Sequence, residues 1–501
     1  MRPASGPRVL FTVRKRTKEC TSQGGDMVAF ADIREAMLFV QQKGIRLVDL
    51  KFSDLWGQWR HVTISAREFN ERLMQEGVGF DGSSVGFKSV EAGDMVLVPD
   101  LATGWVDVFC EAPTLSFICH IVDATTREAF RWDPRSIAAK AEEYLKRTGI
   151  ADESRWGPEL EFYVFDRVNI YNEPHRSGFE VDAEEAHWRM GRDGTGLELP
   201  KHGGYHAAPP RDALNNLRSE VCVLLEDAGV PVKYHHHEVG GAGQCEIEVP
   251  MDGLVRSGDV VMMVKYFVRN VARRHGKTVT FMPKPLVGEA GNGMHFHQHL
   301  FKGGQPLFYD ERGYAGLSRL ALSYIGGLLS HGAALSGLVN PSSNSYRRLT
   351  PGYEAPVSLF FSLGNRSAAI RVPEYATTPE TKRIEYRPPD ATCNVYLALA
   401  AQLMAGISGI RRNVDPTAEG FGPYEDNFFS LAEAEKERIR AIPASLEEAL
   451  DALDAGHDFL LEGGVFPKDL LAFWTRHKRE TDVREIQKRP HPYEMVLYYN
   501  T

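Results

Sequence analysis

No run in this 501-residue chain is apolar over the length of a membrane span. The nearest stretch, residues 395–410, carries Gln402 and several small residues and reads as a buried helix. Cysteine is scarce. The six, at positions 20, 110, 119, 222, 245 and 393, have no metal-type or disulfide-type spacing, so free thiols in a reducing cytoplasm are expected. Positive charge is also in deficit: 58 lysines and arginines against 67 acids leave a net charge of −9. With no long basic stripe either, this argues against a nucleic-acid partner. There is no Gly-x-x-x-x-Gly-Lys-Ser/Thr phosphate loop, no internal repeat and no low-complexity tract.

What is present divides the chain into three parts. Residues 1–26 carry Arg2, Arg8, Arg14, Lys15, Arg16 and Lys18 against Glu19 and Asp26. They lack the apolar core of a signal peptide and the amphipathic Arg/Ser design of a transit peptide, and a disordered extension ahead of Met27 is expected. Residues 27–131 read as a small α+β unit: a helix over 31–44, strands near 46–52, 59–64, 94–99 and 115–122, and a Gly/Ser/Asp loop at 79–86. Asp133 and Pro134 then open a helix, as N-cap and first helical residue. The remainder, 132–501, alternates strands and helices to about 412. It includes a polar surface loop at 165–204 and an ordered loop at 340–356, and it turns helical at 431–442, 445–455 and 468–486.

Four short stretches share one pattern, with charged or imidazole residues at every second position. They are Glu159-Leu160-Glu161, Glu246-Ile247-Glu248, His295-Phe296-His297 and Glu385-Tyr386-Arg387. On a strand, alternate side chains share a face. Each stretch therefore turns its polar groups to one side, and the core-type neighbours place that side in an interior cleft. Clustered carboxylates there repel and lose hydration. Divalent metal is the simplest compensation, and carboxylates with a few imidazoles suit Mg²⁺ or Mn²⁺ better than Zn²⁺. Two such cations in one cleft are what phosphoryl transfer from ATP requires. Without a phosphate loop, arginines must help, and Arg366, Arg371, Arg383 and Arg387 stand close in sequence. His235-His236-His237 point alternately and cannot all reach one ion; the triplet is assigned a structural role, with ligation reserved for Glu238.

These stretches together resemble class I glutamine synthetase from about Arg46 to the C-terminus. Further matching motifs are Asp81-Gly82-Ser83-Ser84, His236-His237-Glu238-Val239, residues 277–285, Gly291-Asn292-Gly293-Met294-His295, Asn344-Ser345-Tyr346 through Glu354-Ala355-Pro356, and Asn365-Arg366-Ser367. The resemblance implies an α+β fold, with a β-grasp N-terminal domain and a catalytic domain on a curved antiparallel sheet. It implies a homododecamer of two hexameric rings with active sites between subunits, the tail at 491–499 reaching into the opposite ring. Glu161, Glu238 and Glu246 would hold one cation and Glu159, His295 and Glu385 the other. Arg366, Arg371 and Arg383 would meet ATP, with His297 near the nucleotide. Ser84, Gly291, His295, Arg348 and Arg387 would bind substrate. Glu248 receives no metal.

The implied reaction joins ammonium to glutamate through γ-glutamyl phosphate. Asp81 from a neighbouring subunit would take the ammonium proton, and Glu354 would close the site. Two departures stand out. Phe429, in Asn427-Phe428-Phe429-Ser430-Leu431, replaces the tyrosine that many members adenylylate. Ala290-Gly291-Asn292-Gly293 replaces Asn-Gly-Ser-Gly, leaving Asn292 as a substitute for the lost amide. Two rivals remain: a γ-glutamyl ligase acting on a polyamine or other amine, and a non-catalytic relative, which the intact set of ligands disfavours.

Overall fold

Alternation of apolar and polar residues builds two sheets. The computed structural model describes residues 29–88, 93–191, 193–351, 355–425 and 439–501. The expected extension at 1–26, Glu354, the run 427–431 and most of the helix expected over 431–442 lie outside the described residues.

The first sheet comprises β1 (Leu47–Ser53), β2 (Trp59–Ser65), β3 (Val78–Asp81), β4 (Asp94–Pro99), β5 (Trp105–Val106) and β6 (Thr114–Asp123). Its order is β2-β1-β6-β4-β3, with β5 paired to β6. The pair β1–β6 is parallel and the rest antiparallel. The helix Ile33–Gln42, capped by Asp32, turns Ala36 and Val40 into the core. The expected loop at 79–86 is partly strand: β3 forms the free edge, and Ser83–Val85 makes one 3₁₀ turn. Four residues that include Gly79 are too few to show a period.

The second sheet starts with β7 (Glu153–Phe165). Next in the chain come β8 (Arg167–Glu173) and β9 (Arg176–Asp182), a separate hairpin inside the segment expected to be loop. Most of its side chains stay wholly or partly exposed, so no apolar stripe marks it in the sequence. The sheet resumes with β10 (Tyr234–His237), β11 (Gln244–Glu248), β12 (Asp252–Gly253), β13 (Thr278–Thr280), β14 (Met294–Lys302), β15 (Gln305–Pro306), β16 (Phe361–Leu363), β17 (Ile370–Val372) and β18 (Ile384–Tyr386). Its order is β10-β11-β7-β14-β18-β17-β16. All pairings are antiparallel except β16–β17, which makes the sheet mixed.

The helix Pro134–Thr148 begins as expected, with Asp133 accepting from the N–H groups of Arg135 and Ser136. It packs with Leu254–Arg274 and Val395–Arg412. The last of these is buried from Val395 through Gly409, which accounts for its apolar composition. Among the described residues no single helix is long and apolar enough to cross a membrane. One cluster of buried apolar side chains runs from Phe30 to Val483 and joins both sheets. The helix expected over 468–486 is Lys468–Lys478, continued through a π turn at Arg479–Val483.

Candidate active site

Register turns the alternating stretches into a grid. Glu246 and Glu248 of β11 stand opposite Glu161 and Glu159 of β7. Beyond β11, β10 sets His236 opposite Glu246 and Tyr234 opposite Glu248. On the other side of β7, β14 sets His295 opposite Glu159 and His297 opposite Gly157. Glu385 of β18 then faces His297, and Arg371 of β17 faces Glu385. The result is three rows on one face: His236–Glu246–Glu161, Tyr234–Glu248–Glu159–His295, and His297–Glu385–Arg371. Opposed side chains have Cβ atoms about 4.5–5.5 Å apart, within reach of a shared cation. Gly157 belongs to the third row, where a Cβ would press on Met251 and crowd His297.

The protein's own charges do not balance over this face. Burial and then the carboxylates of Glu159, Glu238, Glu161 and Glu248 push Glu246 well above the usual carboxylate range. Burial also raises Glu159, but His297 and His295 outweigh it and hold that carboxyl well below its ordinary value. Glu385 is drawn down to about 2, because Arg387 and Arg371 overcome its burial and the repulsion of Glu159. Arg387 Nη1 lies 2.5 Å from Glu385 Oε1, and Arg371 Nη2 pairs with Oε2.

Donor atoms of three trios each lie within 4.8 Å of one another: His236, Glu238 and Glu246; Glu159, His295 and Glu385; and Glu159, Glu248 and His297. Glu248 Oε2 and His297 Nδ1 are buried without a hydrogen-bond partner among the described residues. Oxygen and imidazole donors without thiolate fit hard divalent cations. The second trio is the set expected from sequence. The first contains two of its three expected members. Glu161 is next in that row, but its Oε2 accepts from Gly293 N–H at 2.8 Å. His236, assigned a structural role from sequence, lies 3.2 Å from Glu246 Oε1 and 3.7 Å from Glu238 Oε1. Alternation within the triplet was the available signal: it let one histidine reach the face. Glu248, set aside from sequence, sits in the third trio.

Around the rows, Arg348 is buried and clamped. Its Nη1 donates to Pro388 O at 2.7 Å and its Nη2 to Arg387 O at 3.1 Å. A Cβ on Gly293 would collide with the tips of both Arg348 and His295, so a larger residue there would push both site side chains aside. Gly291 lies in the same loop, its carbonyl bonded to Gln244 Nε2 at 3.0 Å. Asn292 is not the free substitute expected for the missing amide at 290. Its side chain is fully buried, donates to Met282 O at 2.8 Å and accepts from Gln244 Nε2 at 3.0 Å.

Arg366 is exposed in the turn between β16 and β17. Arg383 is half-buried and turned toward Thr381 O (3.0 Å) and the Tyr375 hydroxyl (3.4 Å) rather than toward Glu385. Asp81 is apart from all of these, exposed at the end of edge strand β3. Its hydrogen bonds come from Ser84 Oγ (2.5 Å), Ser83 Oγ (2.7 Å) and Ser83 N–H (2.9 Å), which lower its carboxyl below the ordinary value.

The family model described as the glutamine synthetase catalytic domain matches residues 131–498, and that of the glutamine synthetase beta-Grasp domain matches 44–124. The chain belongs to the glutamine synthetase family. It is 47% identical over 476 residues to a glutamine synthetase of Frankia alni, covering 94% of this chain and 100% of that one. A glutamine synthetase of a Nostoc species is 44% identical over 475 residues, covering 93% and 99%. The cryo-EM structure of Plasmodium falciparum glutamine synthetase aligns with a TM-score of 0.85 at 27% identity, covering 95% of this chain and 100% of that one. The β-grasp sheet and the sheet of three rows are the two halves of the glutamine synthetase fold, and the activity is that of a glutamate–ammonia ligase.

Proposed function

We propose that this ligase phosphorylates the γ-carboxylate of glutamate with ATP and lets ammonia displace the phosphate, in the cleft over the three rows. The observation that carries the reading is the carboxylate excess around Glu246 beside the Arg371–Glu385–Arg387 cluster: a face made for cations, flanked by groups made for phosphate. Mg²⁺ or Mn²⁺, when bound, supplies charge neutralisation and Lewis acidity at the phosphates. Glu161, Glu238 and Glu246 would hold one ion, with His236 at hand, and Glu159, His295 and Glu385 the other.

The side chains divide the remaining work. Arg371, already oriented by Glu385, meets the phosphates, with Arg366 and Arg383 reaching in from less buried positions; His297 stands near the nucleotide. Arg348 and Arg387 orient the glutamate carboxylates. Both are held by neighbouring groups, so little side-chain freedom remains to be lost on binding. Gly291 and His295 complete the glutamate pocket.

A free carboxylate is a poor electrophile, which is why the phosphoryl group comes first. Ammonium must then lose a proton. Asp81, kept ionised by Ser84 and Ser83, is suited to take it. Its hydrogen bonds within the described chain all come from those two serines, and it stands on the free edge of the other sheet. We therefore place it in the cleft of a neighbouring subunit, in a homododecamer of two hexameric rings. The exposed Tyr493, Met495, Val496, Leu497 and Tyr498 of the tail would reach the opposite ring. Glu354 would close over the intermediate and exclude water.

The described cysteines are free thiols, in keeping with a cytoplasmic enzyme. Phe429 has no hydroxyl, so no AMP should attach there. The test of amine choice is phosphate release from ATP and glutamate with ammonium or with putrescine. Release with ammonium is expected; release with putrescine alone overturns the reading.

A further inference from the structure

Two buried amides beside the cleft have no part in the reaction above. Gln244 of β11 is 1% exposed, and Asn292, in the loop ahead of β14, is fully buried. Gln244 Oε1 accepts from Gly240 N–H at 2.8 Å, and its Nε2 donates to Gly291 O and to Asn292 Oδ1, both at 3.0 Å. Asn292 Nδ2 donates in turn to Met282 O at 2.8 Å, and Asn292 N–H to Pro283 O at 2.7 Å. Backbone groups at Gly240, Gly291 and Met282 fix which end of each amide is oxygen and which is nitrogen. A buried polar network is stiff when every member is satisfied and costly when one is lost.

The loop these amides hold has little packing to place it. From Val287 through Gly293 none of its apolar side chains is buried, and Val287 is 96% exposed. Its position is therefore left to hydrogen bonds. Besides the two amides, the Tyr163 hydroxyl donates to Ala290 O at 2.7 Å, Lys284 Nζ donates to Glu289 O, and Gly293 N–H donates to Glu161. Gln244 stands two residues from Glu246, and Gly240 two from Glu238. The amides thus run from the strand and turn that carry cation ligands to the loop that borders Arg348 and His295.

We infer that Gln244 and Asn292 are positioning residues for glutamate, a two-amide brace that holds the Gly291 peptide against Arg348. The inference rests on the glutamate pocket proposed above and deepens it. Neither side chain is offered to the substrate, since their polar groups are turned to the backbone and to each other. Their effect passes through Gly291, where a Cβ would already crowd Arg348. A shift of the loop moves one wall of the glutamate pocket and leaves Arg371, on β17, in place. The serine that Asn292 replaces in Asn-Gly-Ser-Gly reaches one bond less far and offers one hydroxyl instead of the two ends of an amide. Asn292 does not stand in for the amide missing at 290; it fixes the loop from which that amide is missing.

The test is steady-state kinetics of the full-length enzyme, following phosphate release with ATP, glutamate and ammonium. Gln244→Ala and Asn292→Ala should each raise KM for glutamate about tenfold, with KM for ATP within about twofold and kcat at saturating glutamate within about threefold. The double variant should be no worse than about twice the poorer single, because the same brace is broken once. Gln244→Glu keeps the acceptor for Gly240 N–H but turns an oxygen on Gly291 O, so its KM for glutamate should rise at least as far as that of Gln244→Ala. An unchanged KM for glutamate, equal rises in both KM values, a fall in kcat alone, or additive effects in the double variant overturn the inference and leave the glutamate reading standing. No glutamate-dependent phosphate release from the wild type brings down both. If the alanine variants do not fold, Gln244→Glu and Asn292→Ser decide by the same split between the two KM values.

Discussion

Each sheet buries a cluster of charge, and the two clusters are opposites. In the first, Lys51 pairs with Asp49, lies 3.1 Å from Asp107 and donates to Ser116 Oγ at 2.9 Å. His61 Nδ1 is 2.7 Å from Asp49 Oδ1, and the Tyr266 hydroxyl donates to Asp107 at 3.0 Å. Burial raises Asp49, but His61 and Lys51 outweigh it and hold the carboxyl well below its ordinary value. In the second sheet, Glu159, Glu161, Glu238, Glu246 and Glu248 crowd together, and Glu246 is pushed up instead of down. Burial acts in the same direction on Asp49 and Glu246; the sign of the neighbouring charge decides the outcome. A buried cluster whose donors and acceptors match within the fold is part of the scaffold. One with surplus carboxylates is completed by something that binds.

The contrast breaks first at Lys51. Lys51→Ala leaves Asp49 and Asp107 buried without their cation and should cost about 3–5 kcal/mol of stability, read from urea unfolding. Loss below about 1 kcal/mol would show that the first cluster is not self-contained. Glu246→Gln should do the reverse. It removes a repelled carboxylate, so stability in chelator holds or rises, while kcat/KM falls about 10²-fold or more, near 2.7 kcal/mol, through weakened ion and phosphate binding.

A third prediction concerns pH. A carboxyl raised on folding binds its proton more tightly folded than unfolded. In chelator, stability should therefore rise as pH falls through Glu246's raised value, then drop as pH falls below the ordinary carboxylate range, where the unfolded chain takes up protons that Glu385, held at about 2, and Glu159 still refuse. Saturating Mn²⁺ should flatten the first rise, and thermal melts across pH measure both limbs. The smallest effect is expected at Ser84→Ala. Asp81 loses a donor and its carboxyl drifts up toward the ordinary value, yet stays ionised near neutrality. kcat should change less than about threefold at neutral pH, with the loss confined to the acid limb of the pH profile.

Most strands with a clear period were legible: β1, β2, β4 and β6 fall within a residue or two of where alternation puts them. β3 was missed because four residues hold too little pattern. The β8–β9 hairpin was missed because its faces stay too exposed for burial to mark either. The parallel pair β16–β17 was out of reach, since three-residue strands carry no sign of direction. In the site, alternation showed which side chains share a face but not which face each other. His236 and Glu248 were passed over for that reason. Asn292, which looked available, is committed to Gln244 and Met282.

By itself the sequence determined that acids and imidazoles on β7, β11, β14 and β18 point to one side, because period two is a property of each strand alone. It also carried enough matching motifs to anticipate the family. Only the tertiary structure decided that Glu246 meets His236, that Glu159 turns an oxygen to each of two histidines, and that Glu248 lies beside His297. The first pairing depends on the register of two consecutive strands, β10 and β11, and the other two on strands far apart in the chain, and in each case register is set between strands rather than by any one segment.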